Sequence, residues 1–175
     1  MERYAVKVHY LDASVLVKLV ADDPDEEPGR TAVRKYYESH TSMTATSHCL
    51  SEALSVFKSK FLRSRISRED YVRYVEKFIN QTVGWKLEID DMPILSSTLL
   101  REAEKLIRKY ELDFVDCVQI VTILHGKYKI FCGDSKSILI TADRALASAA
   151  RAEGARVWEC TREPSPQTHP NSAFE

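Results

Sequence analysis

Residues 10–17 decide the fold class, and they read Tyr10-Leu11-Asp12-Ala13-Ser14-Val15-Leu16-Val17. One apolar stretch ends at Leu11, and a second begins directly after Asp12. This order predicts a β-strand that ends at Asp12 and a helix that starts behind it. We therefore expect the Asp12 carboxylate to point into a crevice at the end of the strand rather than into solvent.

Three further acids also lie in apolar surroundings, namely Glu52, Asp116 and Asp143. Burying one charged carboxylate is costly, and burying four of them without a counter-ion is prohibitive. A divalent metal ion is the simplest way to balance them.

The composition is that of an ordinary globular domain. The 175 residues are 44% hydrophobic and 29% charged, which suits one domain with one core. The formal net charge of -1 excludes a globally basic nucleic-acid binder, so any such role must depend on local patches. The sequence contains no run of about 20 apolar residues that could span a membrane, and no signal-peptide core, so we expect a cytoplasmic protein.

The four cysteines, Cys49, Cys117, Cys132 and Cys160, are scattered and form no C-x-x-C pair. Cys49 and Cys117 fall in predicted apolar helices, so we expect both to be small core residues in a reducing compartment. The spacing disfavours a zinc site.

Strands and helices are predicted to alternate along the chain. The strands cover 6–11, 43–46, 85–89, 138–141 and 157–158, and the helices cover 14–20, 28–37, 47–63, 67–81, 93–110, 114–124 and 143–153. This alternation predicts an α/β fold with a mainly parallel sheet and helices on both faces. We expect one domain over residues 1–162 and a disordered tail over 163–175, where Pro164, Pro166 and Pro170 lie.

Each acid also has a structural interpretation. Asp12 and Asp143 both follow strands and could simply be N-caps of the next helices. Asp116 could be half of an exposed capping pair with Asp113, which itself is better explained as a cap than as a ligand. Glu52 could extend to solvent. Ligands of open α/β sheets, however, bind beyond the carboxyl ends of the strands, and this favours a functional role for Asp12 and Asp143.

Four carboxylates suit Mg²⁺ or Mn²⁺, which prefer oxygen ligands. Such an ion polarises a phosphoryl oxygen and activates water, so the set is typical of phosphodiester hydrolysis. A basic run downstream of Glu52 could bind an RNA backbone, or could simply complement the dipole at the end of a helix. Its members are Lys58, Lys60, Arg63, Arg65 and Arg68.

Four short segments together resemble the PIN-domain ribonucleases, and most of all the VapC-type toxins of prokaryotic toxin–antitoxin pairs. These segments are Tyr10-Leu11-Asp12-Ala13-Ser14, Ser51-Glu52, Leu112-Asp113-Phe114-Val115-Asp116-Cys117 and Leu139-Ile140-Thr141-Ala142-Asp143. The resemblance covers residues from about 8 to 160.

The resemblance implies a three-layer α/β/α sandwich and Mg²⁺- or Mn²⁺-dependent cleavage of RNA. Asp12, Glu52, Asp116 and Asp143 match the acidic metal-site positions. Ser14 and Thr141 match the hydroxyl residues that orient those acids. The family also implies a homodimer and a cognate antitoxin protein that silences the enzyme.

Several alternatives stay open. The stretch 128–136 and the polar tail exceed a minimal toxin, and PIN domains also act in ribosomal RNA maturation and RNA decay. A non-catalytic PIN module that binds RNA or protein is a further possibility. A haloacid-dehalogenase-like phosphatase would need a second acid where Ser14 stands, although Gly133-Asp134 resembles its later motif. An NTPase is disfavoured because no glycine-rich phosphate loop is present.

Overall fold

The computed structural model describes residues 6–22 and 28–166. Five strands form one sheet: β1 (Val8–Leu11), β2 (Met43–Ala45), β3 (Leu87–Ile89), β4 (Ser137–Thr141) and β5 (Val157–Glu159). The helices are α1 (Ala13–Val20), α2 (Arg30–Glu38), α3 (Ser47–Leu62), α4 (Arg68–Lys77), α5 (Gly84–Lys86), α6 (Ser97–Tyr110), α7 (Phe114–His125), α8 (Lys129–Gly133) and α9 (Arg144–Ala152). A π-helical segment, Phe78–Val83, continues from α4.

The strands have the order β3-β2-β1-β4-β5, and every pairing among them is parallel. Because successive side chains alternate across a strand, β1 contributes to a core on each face of the sheet. Leu11 packs with α1, α2 and α3, whereas Val8 and Tyr10 pack with α6, α7 and α9. This confirms the predicted α/β fold with helices on both faces.

The register between β1 and β4 sets the position of the acids. Val8 pairs with Ser137 and Leu11 pairs with Ile140, so the next residues, Asp12 and Thr141, emerge side by side. All carboxyl ends of the parallel strands meet at this edge of the sheet. We call it the carboxyl edge.

Several predicted element boundaries were wrong. Thr46 was expected in β2, but it caps α3, and its Oγ1 accepts a hydrogen bond from the Cys49 N–H at 3.2 Å. Trp85 was expected in β3, yet it lies in the helical turn α5 and is exposed. The helix predicted from residue 93 begins at Ser97, because Ser96 provides the capping oxygen for Leu99 N–H.

The predicted helix over 67–81 divides into α4, which Ser67 caps, and the π-helical segment. The stretch 128–136, for which no element was predicted, contains α8. Cys49 and Cys117 are fully buried core residues, as predicted. No helix within 6–22 or 28–166 is long and apolar enough to cross a membrane.

The predicted tail, 163–175, lies largely outside the described residues. Glu163, its first residue, accepts hydrogen bonds from Arg151 at 2.5 and 2.7 Å and from the Glu159 N–H at 3.1 Å. Its backbone carbonyl accepts from the Trp158 indole at 3.0 Å. Glu163 is therefore tied to α9 and β5, and the domain boundary at 162 stays a prediction.

A buried tyrosine–carboxylate pair fastens β1 to the segment after β3. The Tyr10 hydroxyl donates to Asp90 Oδ2 at 2.5 Å, and both side chains are buried. Tyr10→Phe removes the donor, and we expect a loss of about 1–3 kcal/mol in the free energy of unfolding, measured by urea denaturation. Tyr128→Phe is the matched control, because the bond from Tyr128 to Glu88 lies near the surface. Equal losses for the two variants would contradict this interpretation.

Candidate active site

Asp12 lies at the carboxyl edge between β1 and α1 and is only 5% exposed. It is the N-cap of α1. Its Oδ1 accepts from the Ala13 N–H at 2.7 Å, and its Oδ2 accepts from the Ser14 N–H at 3.3 Å. Two hydroxyls also donate to Oδ2, from Ser14 at 2.5 Å and from Thr141 at 2.8 Å.

The two hydroxyls have fixed roles because each also accepts a backbone hydrogen bond. Thr141 Oγ1 accepts from the Asp143 N–H at 2.9 Å, and Ser14 Oγ accepts from the Ala142 N–H at 3.0 Å. Each hydroxyl proton is therefore directed at Asp12. The network joins the ends of β1 and β4 and fixes the orientation of the Asp12 carboxylate.

The remaining acids come from three helices. Asp143 is the N-cap of α9, and its Oδ1 accepts from the Leu146 N–H at 2.9 Å. Asp113 caps α7 and accepts from the Asp116 N–H at 2.9 Å. Asp116 lies in the first turn of α7 and is partly buried, whereas Glu52 lies in the second turn of α3 and is exposed.

The direction of the pKa shifts indicates that these acids lie near one another. Burial, followed by the carboxylates of Asp113, Asp12, Asp143 and Glu52, raises the pKa of Asp116 to about 7. Partial desolvation, followed by the charges of Asp12, Asp113 and Asp143, raises the pKa of Glu52. The four acids predicted from the sequence therefore lie in one acidic cluster, and Asp113 belongs to it as a fifth member.

Asp12 also has a raised pKa, but hydrogen bonds rather than neighbouring charges accompany the effect of burial. Burial raises it, and the hydrogen bonds from Ser14, Thr141 and the Ala13 backbone oppose that effect by favouring the charged form. A cation beside the cluster would favour ionisation of all these carboxylates at once.

The donor set fits Mg²⁺ or Mn²⁺, since every member offers carboxylate oxygens and the causes of the raised pKa of Asp116 are burial and other carboxylates alone. No three His, Cys, Asp or Glu side chains in the described ranges 6–22 and 28–166 form a ready-made metal cage. The acids therefore lie near one another without forming a closed metal site among the described residues.

Gln119 is a buried polar residue on the same helix as Asp116. It lies on α7, one turn after Asp116, and is 1% exposed. Its Nε2 donates to the Leu11 carbonyl at 3.3 Å, so it links α7 to the strand residue that precedes Asp12. Its Oε1 is buried and accepts no hydrogen bond from the described residues. Only the shared helical stripe with Asp113 and Asp116 could have revealed it.

Thr141→Val tests the hydroxyl network. The substitution keeps the side-chain volume but removes the donor to Asp12, and loss of a group that orients a metal ligand costs about 10–100-fold in metal affinity or activity. We expect such a loss in nuclease activity, with recovery in Thr141→Ser. Thr122→Val is the matched control, because the buried Thr122 hydroxyl has no hydrogen-bond partner among the described residues. Full activity in Thr141→Val would show that the hydroxyl network around Asp12 is not needed for the activity of the site.

The phosphatase alternative requires Gly133-Asp134 to lie near Asp12. This dipeptide precedes β4 and therefore lies at the opposite edge of the sheet. Asp134 there accepts a hydrogen bond from Lys136 at 2.8 Å. The structure does not bring this motif to the acidic cluster.

Comparison with protein families identifies the architecture. The family model described as "PIN domain" matches residues 9–152. The chain belongs to the PIN domain family. PIN domains are typically nucleases, and the matched range contains the whole acidic cluster.

Two solved structures are similar to this chain. PAE2754 from Pyrobaculum aerophilum aligns with a TM-score of 0.51 and 18% sequence identity, over 85% of this chain and 87% of that one. A domain of a functionally unknown protein from Methanocaldococcus jannaschii DSM 2661 aligns with a TM-score of 0.43 and 14% identity, over 97% and 100%. The first likeness supports the fold alone. No curated protein sequence matches the chain.

Proposed function

We propose that this protein is a metal-dependent endoribonuclease that hydrolyses RNA phosphodiester bonds. The acidic cluster carries the proposal. Asp12 and Asp143 follow β1 and β4 at the carboxyl edge, Glu52 lies on α3, and burial of Asp116 on α7, followed by the charges of these neighbouring carboxylates, raises its pKa to about 7. A structural role would not require this mutual repulsion. Membership of a family whose members are typically nucleases supports the same chemistry.

Each residue has a defined role in this proposal. Asp12, Glu52, Asp116 and Asp143 hold the ion through carboxylate oxygens, and Ser14 and Thr141 orient the Asp12 carboxylate. When bound, Mg²⁺ or Mn²⁺ supplies polarisation of the phosphoryl oxygen and a lowered pKa for water. Asp12, buried and held by four donated hydrogen bonds, provides the fixed ligand around which the more exposed acids adjust.

The test is cleavage of labelled single-stranded RNA by the purified full chain. Fragments should form with Mg²⁺ or Mn²⁺ and should be absent in excess EDTA. Cleavage that persists in EDTA would refute metal dependence. RNA binding without cleavage under every metal condition would instead favour a non-catalytic PIN module.

The biological role proposed is that of the toxin in a toxin–antitoxin pair, supported by the resemblance of the four motif segments. The partners would be RNA, a cognate antitoxin protein and a second copy of the chain. Regulated expression in bacteria should arrest growth only if the acids are intact, and a small protein encoded beside this one should relieve the arrest. Unimpaired growth, with cleavage retained in vitro, would favour ribosomal RNA maturation or RNA decay.

A further inference from the structure

One face of α3 connects the acidic cluster to the basic end of that helix. Arg63 follows Glu52 by 11 positions, and at 3.6 residues and 1.5 Å of rise per residue it lies about 17 Å further along the axis and within about 20° of the same face. Ser55, Val56 and Ser59 lie between them on this face, all with short side chains. Short side chains there leave the helix surface open to an extended molecule.

The end of α3 presents two arginines on a fixed backbone. The Ser64 N–H donates to the Phe61 carbonyl at 2.9 Å, and the Arg65 N–H donates to the Lys60 carbonyl at 2.9 Å. Ser64 adopts φ 55°, so these bonds form a Schellman motif that turns the chain sharply. Arg63 and Arg65, both exposed, are therefore held on either side of this turn.

The charged residues between Glu52 and Glu69 are all basic. No acid occurs in the sequence between Glu52 and Glu69, whereas five lysines and arginines lie there. Without a metal ion, the carboxylates of the acidic cluster repel an anionic polymer, so cations outside the cluster must provide the favourable charge contacts. Arginine suits phosphate because its planar guanidinium offers paired N–H donors.

Lys58 belongs to the same basic run but to a different surface. It lies about 120° around α3 from Glu52. Its ammonium lies over the ring of Phe61, 5.2 Å from the centroid, and over the ring of Tyr71, 5.4 Å from the centroid. These two rings stack on each other. Lys58 therefore covers the α3–α4 contact.

We propose that Arg63 and Arg65 bind phosphates of single-stranded RNA several nucleotides away from the scissile bond, with the strand lying along the Glu52–Arg63 face of α3. This inference rests on the proposed function, since it places the scissile bond at the acidic cluster. The proposal implies that the enzyme binds an RNA strand that extends several nucleotides beyond the scissile bond.

The experiment compares Arg63→Gln/Arg65→Gln with the matched control Lys58→Gln in the full-length protein. RNA affinity is measured on a labelled single-stranded oligonucleotide with EDTA present, and cleavage kinetics are measured with Mg²⁺. The double variant should bind at least about tenfold more weakly, with a salt-dependence slope reduced by about 1.4, since each phosphate contact on single-stranded nucleic acid contributes about 0.7. KM should rise with little change in kcat, and Lys58→Gln should bind within twofold of the unaltered protein.

Three results would overturn the proposal. The first is equal affinity for the double variant, the control and the unaltered protein. The second is a lowered melting temperature in the double variant without weaker RNA binding, which would mean that the arginines only complement the α3 dipole. The third is an equal loss of affinity in Lys58→Gln, which would indicate diffuse charge. If the unaltered protein neither binds nor cleaves RNA, the proposed function itself fails.

Discussion

Asp12→Asn is expected to abolish RNA cleavage while leaving the fold intact. Asparagine caps a helix about as well as aspartate, so α1 should keep its N-terminus and the unfolding free energy should change by less than about 1 kcal/mol. The lost charge is the one that Ser14 and Thr141 hold in place. Because disturbing even an outer partner of a metal ligand costs about 10–100-fold, removing the ligand should cost more than about 100-fold in kcat/KM.

Asp134→Asn is the matched control for that variant. Asp134 is an exposed acid at the opposite edge of the sheet, paired with Lys136. Its loss should leave cleavage within twofold of the unaltered protein. Retained cleavage in Asp12→Asn, or a comparable loss in Asp134→Asn, would rule out the acidic cluster as the catalytic centre. The latter result would also revive the phosphatase alternative.

The strand–acid–helix order around Asp12 could be predicted from the sequence because it depends on local patterns. Apolar runs define β1 and β4, and a parallel sheet brings their carboxyl ends to one edge. The hydrogen bond from Thr141 to Asp12 joins residues 129 positions apart. It depends on the register of β1 against β4, which no local pattern encodes, and only the family resemblance predicted this role for Thr141.

For Asp12 and Asp143, the structural interpretation as N-caps and the functional interpretation as site residues are compatible. Both residues are N-caps, as the structural interpretation held, and both also lie in the acidic cluster. A carboxylate that caps a helix at the carboxyl edge also lies beside the other acids of the cluster, so the same position allows capping and site membership. Asp113 likewise has both roles. The sequence interpretation of Asp113 as a cap did not include its contribution to the raised pKa of Asp116.

Element boundaries were harder to predict where two neighbouring residues could serve equally. Thr46 and Ser47 are both good caps, and the structure uses Thr46 because it directly follows β2 in extended conformation. The π-helical segment after α4 was not predicted, because the helical spacing of apolar residues does not distinguish it from an α-helix; its first residue, Phe78, is buried in the core.

Asp116→Asn is expected to raise stability and abolish activity in the same protein. In the metal-free protein the pKa of Asp116 is about 7, above the ordinary value of 3.8. The folded state therefore binds the proton more tightly than the unfolded state, and the resulting stability is lost as pH rises from about 4 through 7. At pH 8 the unaltered protein bears the cost of an ionised, half-buried carboxylate among like charges. Asparagine removes this cost, which after solvent screening is about 2 kcal/mol.

The quantity to measure is the difference in unfolding free energy between Asp116→Asn and the unaltered protein, in EDTA, from pH 4 to pH 8. The difference cancels the opposing contribution of His9, whose pKa burial lowers to about 4. It should grow from near zero to about 2 kcal/mol in favour of the variant. Glu104→Gln, which removes an exposed ion pair with Arg108, should change stability by less than about 0.5 kcal/mol at every pH.

With Mg²⁺ present, the unaltered protein should become more stable than Asp116→Asn. Metal binding to the folded state stabilises only a protein that retains its metal ligands. The unaltered protein should gain melting temperature with Mg²⁺, whereas Asp116→Asn should gain little and should cleave RNA more than about 100-fold more slowly. A variant that is less stable at both pH 5 and pH 8 would show that Asp116 supports α7 as a structural residue. A variant that is more stable yet fully active would show that catalysis does not require the Asp116 carboxylate. The repulsion among the carboxylates would then not reflect a site for a catalytic metal ion.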